Sequence, residues 1–135
     1  MKVIYEFSEK HVEELHGLFQ TAWWAKGRTL EDTKSCVLGS QICVGLANQK
    51  NVLVGFTRVL TDFTFKALIF DVIVCENQRG NGYGSRLLAL VKSHEKLKDI
   101  KHFELYCAPE MHDFYAKHGF NAELGEIVLM RHINA

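Results

Sequence analysis

Residues 67–75 read Ala-Leu-Ile-Phe-Asp-Val-Ile-Val-Cys, a run with one charge, and Asn77-Gln78-Arg79-Gly80-Asn81-Gly82-Tyr83-Gly84 follows almost at once. A strand that is apolar on successive residues is covered on both faces, so helices must pack on each side of its sheet. Three glycines in five positions then remove side chains from the junction, and Leu87, Leu88, Leu90, Val91 and Leu97 resume at helical spacing. A doubly covered strand, a bare-backbone turn and an amphipathic helix together point to a layered α/β fold.

The rest of the chain agrees. Residues 2–7 alternate as a strand, and Ser8 caps a helix with Val12, Leu15, Leu18 and Phe19 on one face. Thr29 is the N-cap of a second helix, with Asp32 three residues on and Leu30, Thr33, Val37 and Leu38 expected to face inward. Strands over 41–47 and 52–60 flank the polar turn 48–51, and the run above makes the strand 66–75. Lys-His-Phe-Glu-Leu-Tyr-Cys, 101–107, returns to strand. Pro109 opens a helix over 109–118 that Gly119 stops. Glu-Ile-Val-Leu-Met-Arg-His, 126–132, is expected as a closing strand. The order is β-α-α-β-β-β-α-β-α-β, a mixed α/β sheet.

At 135 residues, 47% of them hydrophobic, the chain suits one domain over 1–135, and its single proline leaves no linker. Sixteen basic and sixteen acidic residues make no general field for nucleic acid or an anionic membrane, so neither is expected as a partner and an anionic ligand must be caught locally. The charged N-terminal segment has no signal-peptide core, which gives a cytoplasmic expectation. Four cysteines without a CxxC pair, and seven histidines without HxxxH spacing, fit reduced structural thiols and no metal site.

Gly80, Gly82 and Gly84 allow positive φ and gather N–H groups at the positive end of a helix, where a phosphate is stabilised. A Walker loop needs Lys-Ser or Lys-Thr after the glycines, and none is present. A dinucleotide fingerprint needs GxGxxG on the first strand of a βαβ unit, whereas this is GxGxG after a meander. The remaining alternative to a phosphate site is a plain connecting turn.

Residues 79–84 match the pyrophosphate loop (Gln or Arg)-x-x-Gly-x-(Gly or Ala) of the GNAT superfamily of acetyl-CoA-dependent N-acetyltransferases, and Phe114-Tyr115-Ala116-Lys117-His118-Gly119-Phe120 resembles that family's tyrosine-bearing helix. The element order is similar over essentially the whole chain. The resemblance implies a single N-acetyltransferase domain with the acyl-CoA N-acyltransferase fold and acetyl-CoA as co-substrate. It places the pyrophosphate on Arg79, Gly80, Asn81, Gly82, Tyr83, Gly84 and Ser85, and the pantetheine arm on the main chain of Val72, Ile73 and Val74. Tyr115 corresponds to the tyrosine that faces the sulfur; its alternative is packing against Phe114 and Phe120. The position where many relatives carry a coenzyme-contacting asparagine is Ala108, and His112 is the nearby polar candidate.

Two roles are open to Asp71, the one charge in its run: base toward an incoming ammonium, or hydrogen-bond acceptor in a splayed sheet. On the acceptor side the family uses its first two helices, which makes Trp23, Trp24 and Arg28 candidates, the tryptophans for stacking and Arg28 for a carboxylate. The implied partners are a small-molecule or peptide amine and, as often in the family, a second copy in a homodimer. The rival expectation is a catalytically silent acyl-CoA-binding module.

Overall fold

A computed structural model describes residues 1–134. Five strands, β1 (Lys2–Ile4), β2 (Ile42–Ala47), β3 (Leu53–Thr61), β4 (Lys66–Val74) and β5 (His102–Glu104), form one sheet in sequence order. Neighbours are antiparallel except β4 and β5, which are parallel. The helices are α1 (Glu9–Gln20), α2 (Leu30–Gly39), α3 (Tyr83–Ser93) and α4 (His112–Ala116), with single 3-10 turns at Glu76–Gln78 and Pro109–Met111. No helix among the described residues is long and apolar enough to cross a membrane.

Local chemistry sets the helix starts. Ser8 Oγ accepts from the His11 N–H at 3.2 Å while His11 Nδ1 accepts from the Ser8 N–H at 3.4 Å, a capping box closed by histidine rather than glutamate. Thr29 Oγ1 accepts from the Asp32 N–H at 3.0 Å. Each such cap stabilises its helix by about 1 kcal/mol. Leu15, Leu18 and Phe19 of α1 then bury against Phe56 of β3 and Ile73 of β4, each large side chain contributing roughly 1.5–3 kcal/mol, and Val12 of α1 is buried too. On the opposite face Leu87, Leu88 and Val91 of α3 pack on Val44, Val59 and Ile69. The sheet is thus covered on both sides, as the run at 67–75 requires.

Several expectations change. The first strand ends at Ile4, and the 109–118 helix is a 3-10 turn followed by a short α-helix. Leu38 is 87% exposed, because at 100° per residue it lies about 140° round α2 from the fully buried Thr33. The closing strand does not form: Glu126 lies in a turn, and residues 127–132 have no regular secondary structure, pair with no strand and are exposed. A strand exists only by pairing with a neighbour, and the sheet ends at β5.

Candidate active site

The site is built around an irregularity in β4. Phe56 pairs with Ile73 but Arg58 pairs with Phe70, so β4 carries one extra residue, a β-bulge, opposite Thr57. Asp71 takes up the excess at φ 58°, a left-handed conformation uncommon outside glycine. The bulge reverses the alternation: Ala67 and Ile69 point to the α3 side before it, Val72 and Val74 after it.

Asp71 itself turns toward α1 and α2, where two arginines hold it. Arg28 donates from Nη1 to Oδ2 at 2.8 Å and from Nη2 to Oδ1 at 3.2 Å, and Arg58 donates from Nε to Oδ2 at 2.6 Å. The Asp71 side chain is 5% exposed, that of Arg58 15% and that of Arg28 30%. The Arg28 guanidinium also sits 4.6 Å from the Phe19 ring centroid and 5.5 Å from that of Trp24, and Arg58 lies 5.0 Å over Phe70. Arg58 was not singled out from the sequence. Its signal is the one that marks Asp71, a lone charge inside a buried strand. Both carboxylate oxygens are engaged by guanidinium groups, so the geometry favours the acceptor role for Asp71, and Arg28 spends its fork on Asp71 rather than standing free.

β4 and β5 pair only from Lys66↔His102 to Leu68↔Glu104. Beyond that the side of β4 facing β5, from Ile69 to Val74, has no strand partner, and Val72, Ile73 and Val74 lie along it. The glycine loop opens at its end. Gly80 and Gly82 have φ of 84° and 78°, and a Cβ added to either would meet nothing within 4 Å, so their role is conformational. Gly82 caps α3, whose first main-chain bond to the cap runs from the Arg86 N–H to the Gly82 carbonyl at 3.0 Å. The amides of Tyr83, Gly84 and Ser85 therefore precede any helical acceptor. Gly84 differs: a Cβ there would lie 3.3 Å from Phe114, so it lets α3 approach α4. Arg79 is exposed and forms no ion pair with Glu76 among the described residues, and Asn81 Nδ2 donates to the Gln78 carbonyl at 3.1 Å.

Tyr115 lies with Phe114 and Phe120 against the α3-side core, where Val72 and Val74 also pack. Burial, with a smaller contribution from Cys107, pushes its phenol up to about 12, and its hydroxyl has no hydrogen-bond partner among the described residues. The structure thus brings Tyr115, the splayed β4 and the glycine loop to one side. His118, unassigned from the sequence, joins them through Nε2, 2.9 Å from Ser85 Oγ; burial first, then Lys117 and Lys92, lowers its pKa. His112 is exposed beside Asp113 at 3.6 Å. Trp23 is 77% exposed and Trp24 39%, on the Arg28 side of the sheet.

Burial acts on two of the four thiols. Cys43 is pushed up to about 11 by burial and its Sγ lies 3.7 Å from the Val37 carbonyl, while burial also raises Cys36. Among the described residues no three His, Cys, Asp or Glu side chains converge as a metal site requires.

Residues 39–122 match the acetyltransferase (GNAT) domain family. The chain belongs to the GNAT acetyltransferase family. Among the family's curated proteins it is similar to the uncharacterized N-acetyltransferase ycf52 of Pyropia yezoensis, 32% identical over 88% of this chain and 71% of that protein. It is 29% identical to ycf52 of Gracilaria tenuistipitata var. liui over 82% of this chain, and spans 62% of that relative's length. A Xanthomonas campestris structure assigned to the GNAT family superposes with a TM-score of 0.82 at 26% identity, covering 98% of this chain and 94% of that one. An aminoglycoside 6'-N-acetyltransferase complexed with coenzyme A shares the fold at 18% identity and a TM-score of 0.59, over 68% of this chain and 53% of its own.

Proposed function

We propose that this GNAT chain is an acetyl-CoA-dependent N-acetyltransferase that moves the acetyl group directly onto a primary amine, of a small molecule or of a lysine side chain. The observation that carries the reading is the cradle at the start of α3: the amides of Tyr83, Gly84 and Ser85 precede the first helical bond, beneath left-handed Gly80 and Gly82 with open space where side chains would stand. The coenzyme A bound by the aminoglycoside enzyme of the same fold supports it.

A pyrophosphate fits that cradle by charge and by its need for N–H donors. Arg79 adds an exposed cation beside it, and Asn81 keeps the loop folded onto Gln78. The free side of β4 at Val72, Ile73 and Val74 offers main-chain groups to the pantetheine amides as a neighbouring strand would, and one of its N–H groups polarises the reacting carbonyl. Acetyl-CoA supplies the acetyl group as an activated thioester. Tyr115 stays protonated and donates from its hydroxyl to the departing sulfur; with the phenol at about 12 and an ordinary thiol near about 8.5, complete transfer is uphill and a hydrogen bond is the stabilising contact. Asp71 orients Arg28 and Arg58 as an anchor, and the amine proton passes to water. Trp23, Trp24 and the solvent-facing part of Arg28 line the acceptor side, and His112 at the start of α4 is a polar group for the coenzyme.

The test is free-thiol release from acetyl-CoA over a panel of amines, with calorimetry for coenzyme A binding. Amine-dependent release is expected, and Tyr115→Phe should lower kcat about 100-fold with little change in coenzyme A affinity. Heat of binding without release for any amine would replace the reading with a silent acyl-CoA-binding module. No heat at all would remove both.

A further inference from the structure

Ser85 lies in the first turn of α3, and its amide is one of the three in the cradle. Its hydroxyl already has a partner: Oγ is 2.9 Å from Nε2 of His118, 33 residues further along the chain. A serine hydroxyl has one proton to give and two lone pairs to offer. If Nε2 is bare, the serine proton goes to the imidazole, and an anion in the cradle meets only lone pairs. If Nε2 carries a proton, the ring donates to Oγ and the serine proton is free for a phosphate oxygen.

The surroundings fix His118 and leave that choice open. Its N–H donates to the Tyr115 carbonyl at 3.0 Å, its carbonyl accepts from Lys92 Nζ at 2.8 Å, and its ring stands edge-on to Phe114, 5.2 Å between centroids. Nδ1 makes no hydrogen bond among the described residues, so Ser85 alone selects the tautomer. The charges that act on the ring are Lys117 of its own segment and Lys92 of α3, both cations, and with burial they hold its proton off. No carboxylate is among them. Arg86 of α3 is engaged elsewhere, donating from Nη1 to the Met1 carbonyl at 3.3 Å. Negative charge in the cradle reverses that balance and favours the protonated ring.

We propose that His118 is a positioning residue for coenzyme A: with pyrophosphate in the cradle, Nε2–H donates to Ser85 Oγ, the Ser85 hydroxyl donates to a phosphate oxygen, and the ring takes up a proton from solvent. The inference rests on the acetyl-CoA reading above. It makes coenzyme binding proton-linked. The ring holds its proton more tightly in the complex than in the free chain, so affinity rises as the pH falls through the titration of the complex and levels off below that of the free chain.

Ring 15N spectra of His118 with and without coenzyme A, and calorimetry of coenzyme A binding against pH, test it. At about pH 8, above the ordinary histidine range, Nε2 should carry a proton in the complex. Ring titration should move up by about one unit on binding, for up to about tenfold more affinity at about pH 6 than at about pH 8. His118→Gln has an amide to donate to Ser85 but no proton to take up, and should lack that gain. The coenzyme's own 3′-phosphate titrates against both proteins and cancels in the comparison. Should the variant unfold, the wild-type spectra decide. A ring whose Nε2 stays bare in the complex, or a His118→Gln protein that keeps the full gain, overturns the proposal and leaves coenzyme binding standing. No heat of binding at any pH removes the acetyl-CoA reading and this inference together.

Discussion

At the scale of single residues, Asp71 and Tyr115 respond to burial in opposite ways. Asp71 is buried inside a sheet with three guanidinium hydrogen bonds in place of water. Asp71→Ala would leave Arg58 largely buried and unpaired, and should destabilise the fold by about 3–5 kcal/mol, measured by urea unfolding. Arg28→Ala should cost less, since that side chain keeps solvent access. If Asp71 is an anchor, Asp71→Asn keeps the wild-type pH dependence of kcat; loss of an acidic limb would restore the base. Tyr115 has no such partner, and desolvation raises its phenol to about 12. An unfolded tyrosine ionises near pH 10, so the neutral phenol's contribution is intact below about pH 10 and is lost as the pH rises through about 12. Absorbance titration should find one tyrosine ionising well above the others, and Tyr115→Phe should remove it.

Among the elements, the loop between β4 and α3 separates two uses of glycine that look alike in sequence. Gly80 and Gly82 are held at positive φ in open space, whereas Gly84 is a contact point between α3 and α4. Gly82→Ala should therefore cost only about 1–2 kcal/mol of stability, from the left-handed backbone, yet relax the amide cradle and remove most of the thermal shift caused by coenzyme A. Gly84→Val should loosen α4 through Phe114, lowering stability and misplacing Tyr115 together. Melting curves with and without coenzyme A distinguish the two. The splay of β4 from β5 belongs to this scale too: pairing ends at Leu68↔Glu104, three residues before the bulge at Asp71.

For the whole molecule, the sheet buries both faces but leaves one edge and one apolar segment exposed. If two copies associate, as the family resemblance implies, the midpoint of thermal unfolding should rise with protein concentration, as for any protein stabilised by a partner that binds only the native state. A midpoint independent of concentration would count against a dimer.

Much of the site is legible one residue at a time. The loop's spacing, the caps at Ser8 and Thr29, the α1 stripe and the Phe-Tyr-x-Lys-x-Gly-Phe segment are local, and local patterns determine local backbone: glycine where φ must be positive, side-chain oxygens where helix amides are free, apolar residues at the period of the element. The direction of Asp71 was not legible, because it depends on a bulge defined only by the register against β3. Arg58 and His118 escaped for the same reason. Each acquires its role from a partner on another element, Asp71 13 residues away and Ser85 33 residues away. The tail shows the same division. Its sequence has the pattern of a strand, but whether a strand exists depends on an edge to pair with, and tertiary structure decides where that edge lies.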